Sequence, residues 1–166
     1  LGGLADVLED ASFVEYASIP GFPVSTAPGH AGRFVLGRLA GHGVVCMQGR
    51  VHYYEGYPMT DVVLPVRLMK LMGAEILFLT NAAGGVNHDY AAGDFMLIRD
   101  QIACFVPSPL IGQNLDELGP RFADMSQIYD NTLCDVIRTA ARELDIRLQE
   151  GVYVQLTGPA YESPYE

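Results

Sequence analysis

The stretch Gln48-Gly49-Arg50-Val51-His52-Tyr53-Tyr54-Glu55-Gly56 places a guanidinium, an imidazole and a phenol at alternate positions directly after an apolar run. In extended backbone, alternate side chains share a face, so Arg50, His52 and Tyr54 would line up at a strand end. The planar fork of arginine matches the paired oxygens of a phosphate or carboxylate. The imidazole and phenol suit a hydroxylated ligand behind that anion, and Gly49 permits close backbone approach. The competing reading pairs Arg50 with Glu55 or Asp61 and packs the tyrosines into a core.

Three other segments carry candidate chemistry. Asn81-Ala82-Ala83-Gly84-Gly85 follows the apolar run ending at Thr80. Its small side chains leave main-chain N–H groups open to an anion, or simply make a tight connection. It lacks the glycine spacing and Lys-Ser/Thr pair of a P-loop. His30 lies in the loop Pro28-Gly29-His30-Ala31-Gly32, where it reaches an anion or caps a turn. In Thr157–Pro164, Glu162 follows Tyr161. A carboxylate acceptor beside a ring suits a heteroaromatic base with N–H donors, and a solvated surface glutamate is the plainer alternative. The four histidines have no metal-ligand spacing, and neither a GxSxG elbow nor a GxGxxG turn occurs.

The elements that must position these groups alternate in type. Phe13–Ile19, Arg33–Leu39 and Gly43–Gln48 read as strands, the last buried through Val44, Val45, Cys46 and Met47. Thr60–Met72 reads as a helix capped by Thr60, with Val63, Val66, Leu68, Met69 and Met72 inward and Gly73 as its stop; Pro65 is the discordant residue. Ala74–Thr80 has the continuous apolar run of a strand covered on both faces. Phe95–Ile98 and Gly151–Leu156 are further strands, and Asp100–Pro120 is loop-like. Asn131–Arg147 is the clearest helix, with Leu133, Val136, Ile137, Ala140, Ala141 and Leu144 at helical spacing. This alternation predicts an α/β architecture with a largely parallel or mixed sheet, in which ligands sit beyond the carboxyl ends of strands.

Composition narrows the function classes. The chain has 166 residues, 49% of them hydrophobic and 18% charged, with mean hydropathy +0.17. A chain of this length buries roughly 70% of its extended surface, which argues against disorder. No run approaches the ~18 apolar residues of a membrane helix. Ten basic residues against twenty acidic ones give a net charge of −10, which repels a nucleic-acid backbone but leaves room for a small phosphate held by one arginine. Cys46, Cys104 and Cys134 are widely spaced and form no CxxC, which points to a reducing, cytoplasmic setting without a disulfide scaffold. The chain opens Leu-Gly-Gly without methionine and stops after a turn-like stretch, so it reads as part of a longer protein.

Taken together, the motifs resemble the trimeric purine nucleoside phosphorylase family. The resemblance runs in order through Leu1-Gly-Gly-Leu4, Ile19–Pro23, Pro28–Gly32, Gln48–Gly56, Asn81–Gly85, Gly93-Asp94, Leu97–Asp100, Arg121-Phe122 and Gly158–Glu162. It implies a nucleoside phosphorylase-like α/β fold, a central mixed β-sheet flanked by helices, with residues 1–166 as one incomplete domain. It further implies phosphate-dependent cleavage of purine (deoxy)ribonucleosides such as inosine and guanosine to free base and pentose 1-phosphate. By resemblance, Arg50, the Ala82 amide, His30 and His52 hold phosphate, with His52 at the sugar boundary. Tyr54 binds sugar, Tyr161 walls the base, and Glu162 accepts the N1 hydrogen of a 6-oxopurine, so His52 and Glu162 are the catalytic candidates. Phe122 closes a neighbouring subunit's site, which implies a homotrimer. No metal or organic cofactor is implied, since phosphate is a co-substrate.

The departures from the family pattern are specific. Its Gly-Ser-Gly would precede Leu1, and its Met-Ser, Thr-Asn and late histidine segments belong to the last third, beyond Glu166. Gln101 stands where Asp-His-Ile is common, and Ala123 where proline follows Arg-Phe. Two rivals follow: a catalytically inactive nucleoside- or phosphate-binding subunit, and a 5′-methylthioadenosine phosphorylase, against which Glu162 and Tyr54 argue.

Overall fold

Phe34 and Val35 are neighbours in sequence, so a strand sends them to opposite faces; both are buried, at 2% and 0% exposure. That requires cover on both sides of the strand. The computed structural model, which describes residues 2–27 and 29–166, supplies it within the first of two compact units, Leu1–Thr80 with Gly158–Glu166. Strand β2 (Arg33–Leu39) is the centre of a three-stranded antiparallel sheet, between β1 (Glu9–Glu15) and β3 (His42–Gln48). On one face Phe34 joins Tyr16, Phe22 and Met69; on the other Val35 joins Ala5 and Leu8. Ring centroids in the Tyr16–Phe22–Phe34 cluster lie 4.9 to 5.5 Å apart, the spacing of tilted and edge-on aromatic contacts.

β2 and β3 pair in strict register from Arg33↔Gln48 to Leu39↔His42. The two-residue turn between them has positive φ at both Ala40 (48°) and Gly41 (82°), the hairpin turn whose twist matches the strands. Ala40 is the strained member, because a Cβ disfavours the left-handed region.

Several expectations change in this unit. The first strand starts and ends earlier than Phe13–Ile19: it is Glu9–Glu15, followed by a 3-10 turn at Tyr16–Ser18. All seven β1 residues are exposed, so main-chain pairing with β2 defines the strand and no apolar pattern marks it. Thr60–Met72 is two helices, α1 (Met59–Val62) and α2 (Leu64–Leu71). Pro65 lacks an N–H and suits only the first turn of a new helix; Pro58, not Thr60, precedes α1. Gly73 does end α2, at φ 99°, with Gly73 N–H donating to Lys70 O and Ala74 N–H to Met69 O, the two bonds of a Schellman cap. Met72 is exposed rather than inward. Ala74–Thr80 has no strand ladder among the described residues, and Ile76–Leu79 are 51–67% exposed. An apolar run carries no register of its own and becomes a strand only where neighbours pair with it.

The second unit is Asn81–Thr157. Parallel strands β4 (Phe95–Ile102) and β5 (Leu148–Val154) pair from Phe95↔Leu148 to Ile102↔Val154, with a shift between Ile98 and Asp100. Both strands differ from their expected bounds: β4 extends four residues past Ile98, and β5 begins at Leu148 rather than Gly151. Helix α3 (Asn131–Glu143) lies on the connection between them, the crossover that parallel strands require. Asp130 caps it, accepting from Leu133 N–H at 3.0 Å. The helix stops before Arg147 because Asp145 turns left-handed (φ 52°), with Ile146 N–H bonded to Ala141 O. Cys134, Ala141 and Leu97 are buried, whereas Leu133, Val136 and Leu144 of the expected inner face are exposed. Arg138 grips Glu150 of β5 with two bonds of 2.7 and 2.8 Å, fixing helix to strand. With both sheets and the helices between strands, the chain is an α/β protein.

The hairpin gives a direct test. Ala40→Asn should raise stability by about 0.5–1 kcal/mol, since asparagine tolerates the left-handed turn, and Ala40→Val should lower it by more than about 1 kcal/mol. Urea unfolding of the full-length protein reads both; a neutral or destabilising Ala40→Asn contradicts the turn.

Candidate active site

The site is built where β3 ends. Gly49 follows at φ 102°, and a Cβ there would sit 2.8 Å from His30 Cβ and 3.1 Å from Gly32 N. The glycine expected to admit a ligand therefore admits the His30 loop. Gly32 N–H donates to Gln48 O at 2.9 Å, and the Tyr16 hydroxyl donates to Gly49 O at 2.8 Å. Burial pushes the Tyr16 phenol well above its ordinary pKa, so it stays a neutral donor. Arg50 comes next. Its N–H donates to His30 Nδ1 at 2.8 Å, and its Nη1 donates to Thr80 O at 3.1 Å.

Val51 is buried at 4% exposure, which turns Arg50 and His52 to the other side, as the alternation predicts. The strand geometry ends there: Tyr53–Glu55 is a 3-10 turn. Tyr54 still meets His52, by stacking at 4.9 Å between centroids with planes 15° apart, while His30 approaches His52 edge-on at 5.1 Å. The structure thus brings His30, Arg50, His52 and Tyr54 into one cluster. A Cβ on Gly158 would lie 3.3 Å from Tyr54 Cδ1, so the Gly158–Glu162 segment begins against the Tyr54 ring. Tyr161, at 95% exposure, and Glu162 are exposed. Tyr53, Tyr54, Gly56, Tyr57 and Pro58 line an open cavity of about 400 Å³.

Glu55 is the residue the motif reading undervalued. It is not the ion partner of Arg50, which forms no ion pair among the described residues. Its side chain is 2% exposed and accepts from His52 Nδ1 (2.9 Å) and His52 N–H (2.7 Å) through Oε1. Through Oε2 it accepts from Thr26 N–H (2.6 Å), Thr26 Oγ1 (2.9 Å) and Ser25 Oγ (3.2 Å). Burial pushes this carboxyl up, but the bonds from Thr26 and His52 outweigh it and hold the pKa at about 2. An ionised carboxylate only accepts, so His52 Nδ1 carries the proton and Nε2 is the atom turned to other uses. The signal in sequence was a carboxylate three residues after a histidine, spanning one tight turn. Tyr57 adds a second tie to the same segment: its hydroxyl donates to Val24 O at 2.7 Å.

In the second unit, Ala82 is exposed in an irregular stretch, and the Asn81 amide donates to its carbonyl at 3.2 Å. Phe122 is 89% exposed, next to Arg121, whose Nη1 donates to Gly112 O at 2.6 Å and to Leu110 O at 3.3 Å. Gln101, where the motif departs from its usual form, accepts from the Tyr129 hydroxyl at 2.9 Å. Among the described residues no group of three or more His, Cys, Asp or Glu side chains could hold a metal ion, and no helix is long and apolar enough to cross a membrane.

The α/β scaffold agrees with the wider comparison: the chain belongs to the phosphorylase superfamily, whose family model matches residues 1–166. Among its relatives, purine nucleoside phosphorylase 1 of Bacillus subtilis is 52% identical over 166 residues, covering 100% of this chain and 61% of that protein. The Bos taurus purine nucleoside phosphorylase is 46% identical over 171 residues, covering 100% and 59%. A crystal structure of the Schistosoma mansoni purine nucleoside phosphorylase in complex with inosine superposes with TM-score 0.92 at 41% identity, over 98% of this chain and 59% of that one. The chain thus spans about three fifths of the length of these relatives.

Glu55→Gln keeps shape and removes charge, so it should cost about 2–3 kcal/mol at pH 7 through weakened charge-assisted bonds. The native pKa of about 2 lies below the ordinary 4.5, so this stabilisation is complete above about pH 4.5 and fades as pH falls toward 2. Denaturant midpoints should show the wild-type advantage shrinking between pH 5 and pH 3; a constant gap contradicts the assignment.

Proposed function

We propose that the protein carrying this chain is a purine nucleoside phosphorylase, cleaving nucleosides such as inosine and guanosine with inorganic phosphate. The observation that carries this reading is the His30–Arg50–His52–Tyr54 cluster at the end of β3. It is supported by relatives of that name at 46–52% identity and by the inosine complex of the Schistosoma protein.

In this reading a phosphate oxygen attacks the anomeric carbon as the glycosidic C–N bond breaks. The base leaves with the bonding electron pair and takes up a proton, and the products are free purine and pentose 1-phosphate. Positive charge builds on the sugar between the phosphate and the departing base. Arg50 supplies the fork for the phosphate. His52, fixed by Glu55 through Nδ1, presents Nε2 toward the anion and the sugar, and Tyr54 stacks behind it as a sugar contact. Their contribution is mainly orientation in line with the scissile bond. By resemblance, the Ala82 amide of the Asn81–Gly85 motif is a further phosphate-ligand candidate. Tyr161 walls the base, and Glu162 accepts its N1 hydrogen, which selects a 6-oxopurine and orients it for departure. The exposed Phe122, on a loop held by Arg121, suits closure of a second copy's site and hence a homotrimer. The chemistry calls for no metal or organic cofactor. Residues 1–166 are read as one incomplete phosphorylase domain of a cytoplasmic enzyme with no nucleic-acid or membrane partner.

Two measurements test this. The full-length protein should release hypoxanthine from inosine only when phosphate is present, and Arg50→Ala should lower kcat/KM by on the order of 100-fold or more; no phosphate-dependent release from the intact protein rules the reading out. Glu162→Ala should impair inosine at least about tenfold more than adenosine, since only the 6-oxopurine offers an N1 hydrogen. Equal losses remove Glu162 from that role.

A further inference from the structure

We propose that His30 is a positioning residue, whose neutral ring clamps the Arg50 main chain through Nδ1 and thereby aims the guanidinium that holds phosphate. The inference rests on the reading of Arg50 as an oxyanion ligand, and it gives His30 a different job from that of a phosphate ligand.

The geometry is specific. His30 Nδ1 accepts from Arg50 N–H at 2.8 Å, so Nδ1 must be unprotonated and the ring proton lies on Nε2. The contact is possible only because Gly49 has no side chain, since a Cβ there would lie 2.8 Å from His30 Cβ. Arg50 is then pinned twice, by its amide to His30 and by Nη1 to Thr80 O at 3.1 Å. The neighbouring ties of this segment are insensitive to pH near neutrality: Tyr57 to Val24, the ionised Glu55 to Ser25 and Thr26, and Gly32 N–H to Gln48 O. The His30 bond is the exception, because a protonated Nδ1 would face the Arg50 N–H donor to donor.

The groups around the ring favour the neutral form. Burial acts first, followed by His52 and the Arg50 charge, with Glu55 opposing, and together they lower the His30 pKa from its ordinary 6.5. The ring therefore stays mainly neutral at pH 6.5, and the clamp opens only as pH falls through the lowered pKa beneath that value. His52, with its ring 5.1 Å away, is the other titratable group against this ring.

Two substitutions separate the two nitrogens. In His30→Asn the side-chain oxygen occupies the Nδ1 position and still accepts, without titrating; in His30→Gln the amide reaches only the Nε2 position. Two readouts apply to the full-length protein. One is hydrogen exchange at the Arg50 amide from pH 5 to 8, normalised to the intrinsic rate. The other is calorimetric binding of sulfate, a tetrahedral oxyanion whose charge is constant across that range. At pH 7.5, His30→Gln and His30→Ala should each speed Arg50 amide exchange and weaken sulfate on the order of tenfold, with His30→Asn within about threefold of wild type. Wild-type protection should fall below pH 6.5 and that of His30→Asn should not. Asparagine behaving like alanine, or glutamine like wild type, overturns the proposal in favour of a role through Nε2. The amide measurement does not depend on turnover, so a wild-type protein that leaves inosine intact but shows this exchange pattern loses the proposed function and keeps the clamp.

Discussion

A buried carboxylate has to be surrounded by donors or lose its charge, and that requirement at Glu55 organises the candidate site. Its two oxygens collect Ser25, Thr26 and both the amide and the ring of His52. Residues thirty positions apart in sequence are thereby held to one point, and the same charge decides which nitrogen of His52 carries the proton. The orientation of a proposed phosphate and sugar contact is thus set by a group that touches neither. The network is saturated: among the described residues no buried side-chain nitrogen or oxygen lacks a hydrogen-bond partner.

Charge acts on two scales in this molecule. The chain as a whole carries −10, yet Arg50, His30 and His52 gather within one cluster. A polyanion samples the field of the entire surface, whereas a small anion entering the cluster meets the local guanidinium first. The ionised Glu55 opposes that local field, as its effect on His30 shows, but its oxygens are bonded to His52, Ser25 and Thr26 and make no ion pair with Arg50.

What the sequence revealed depended on whether packing or pairing defines an element. β2 and β3 were legible because Phe34, Val35 and Val44–Met47 carry a burial pattern. β1 was not, since its seven exposed residues belong to the sheet only through main-chain bonds to β2. Pro65 marked the helix break, and the long-helix reading failed by overruling it. The apolar Ile76–Leu79 run misled in the opposite direction, as composition without pairing partners. In the site, alternation correctly put Arg50 and His52 on one side, but the 3-10 turn at Tyr53 redirected Glu55 from Arg50 to His52. The Tyr16 tie to Gly49 had no sequence signal, because it joins positions 33 residues apart.

That tie has a consequence for how substitutions far from the cluster would be felt. Tyr16 is 1% exposed, its ring wedged between Phe22 and Phe34 while its hydroxyl holds the carbonyl of Gly49. One rigid side chain therefore spans from the middle of the aromatic core to the backbone bend on which Arg50 is mounted. Close-packed interiors transmit displacement rather than absorb it, so trimming Phe22 or Phe34 would let the ring settle and carry Gly49 with it. The bend that carries Arg50 would then report on core packing, and a substitution at either phenylalanine would be felt at a residue it never contacts.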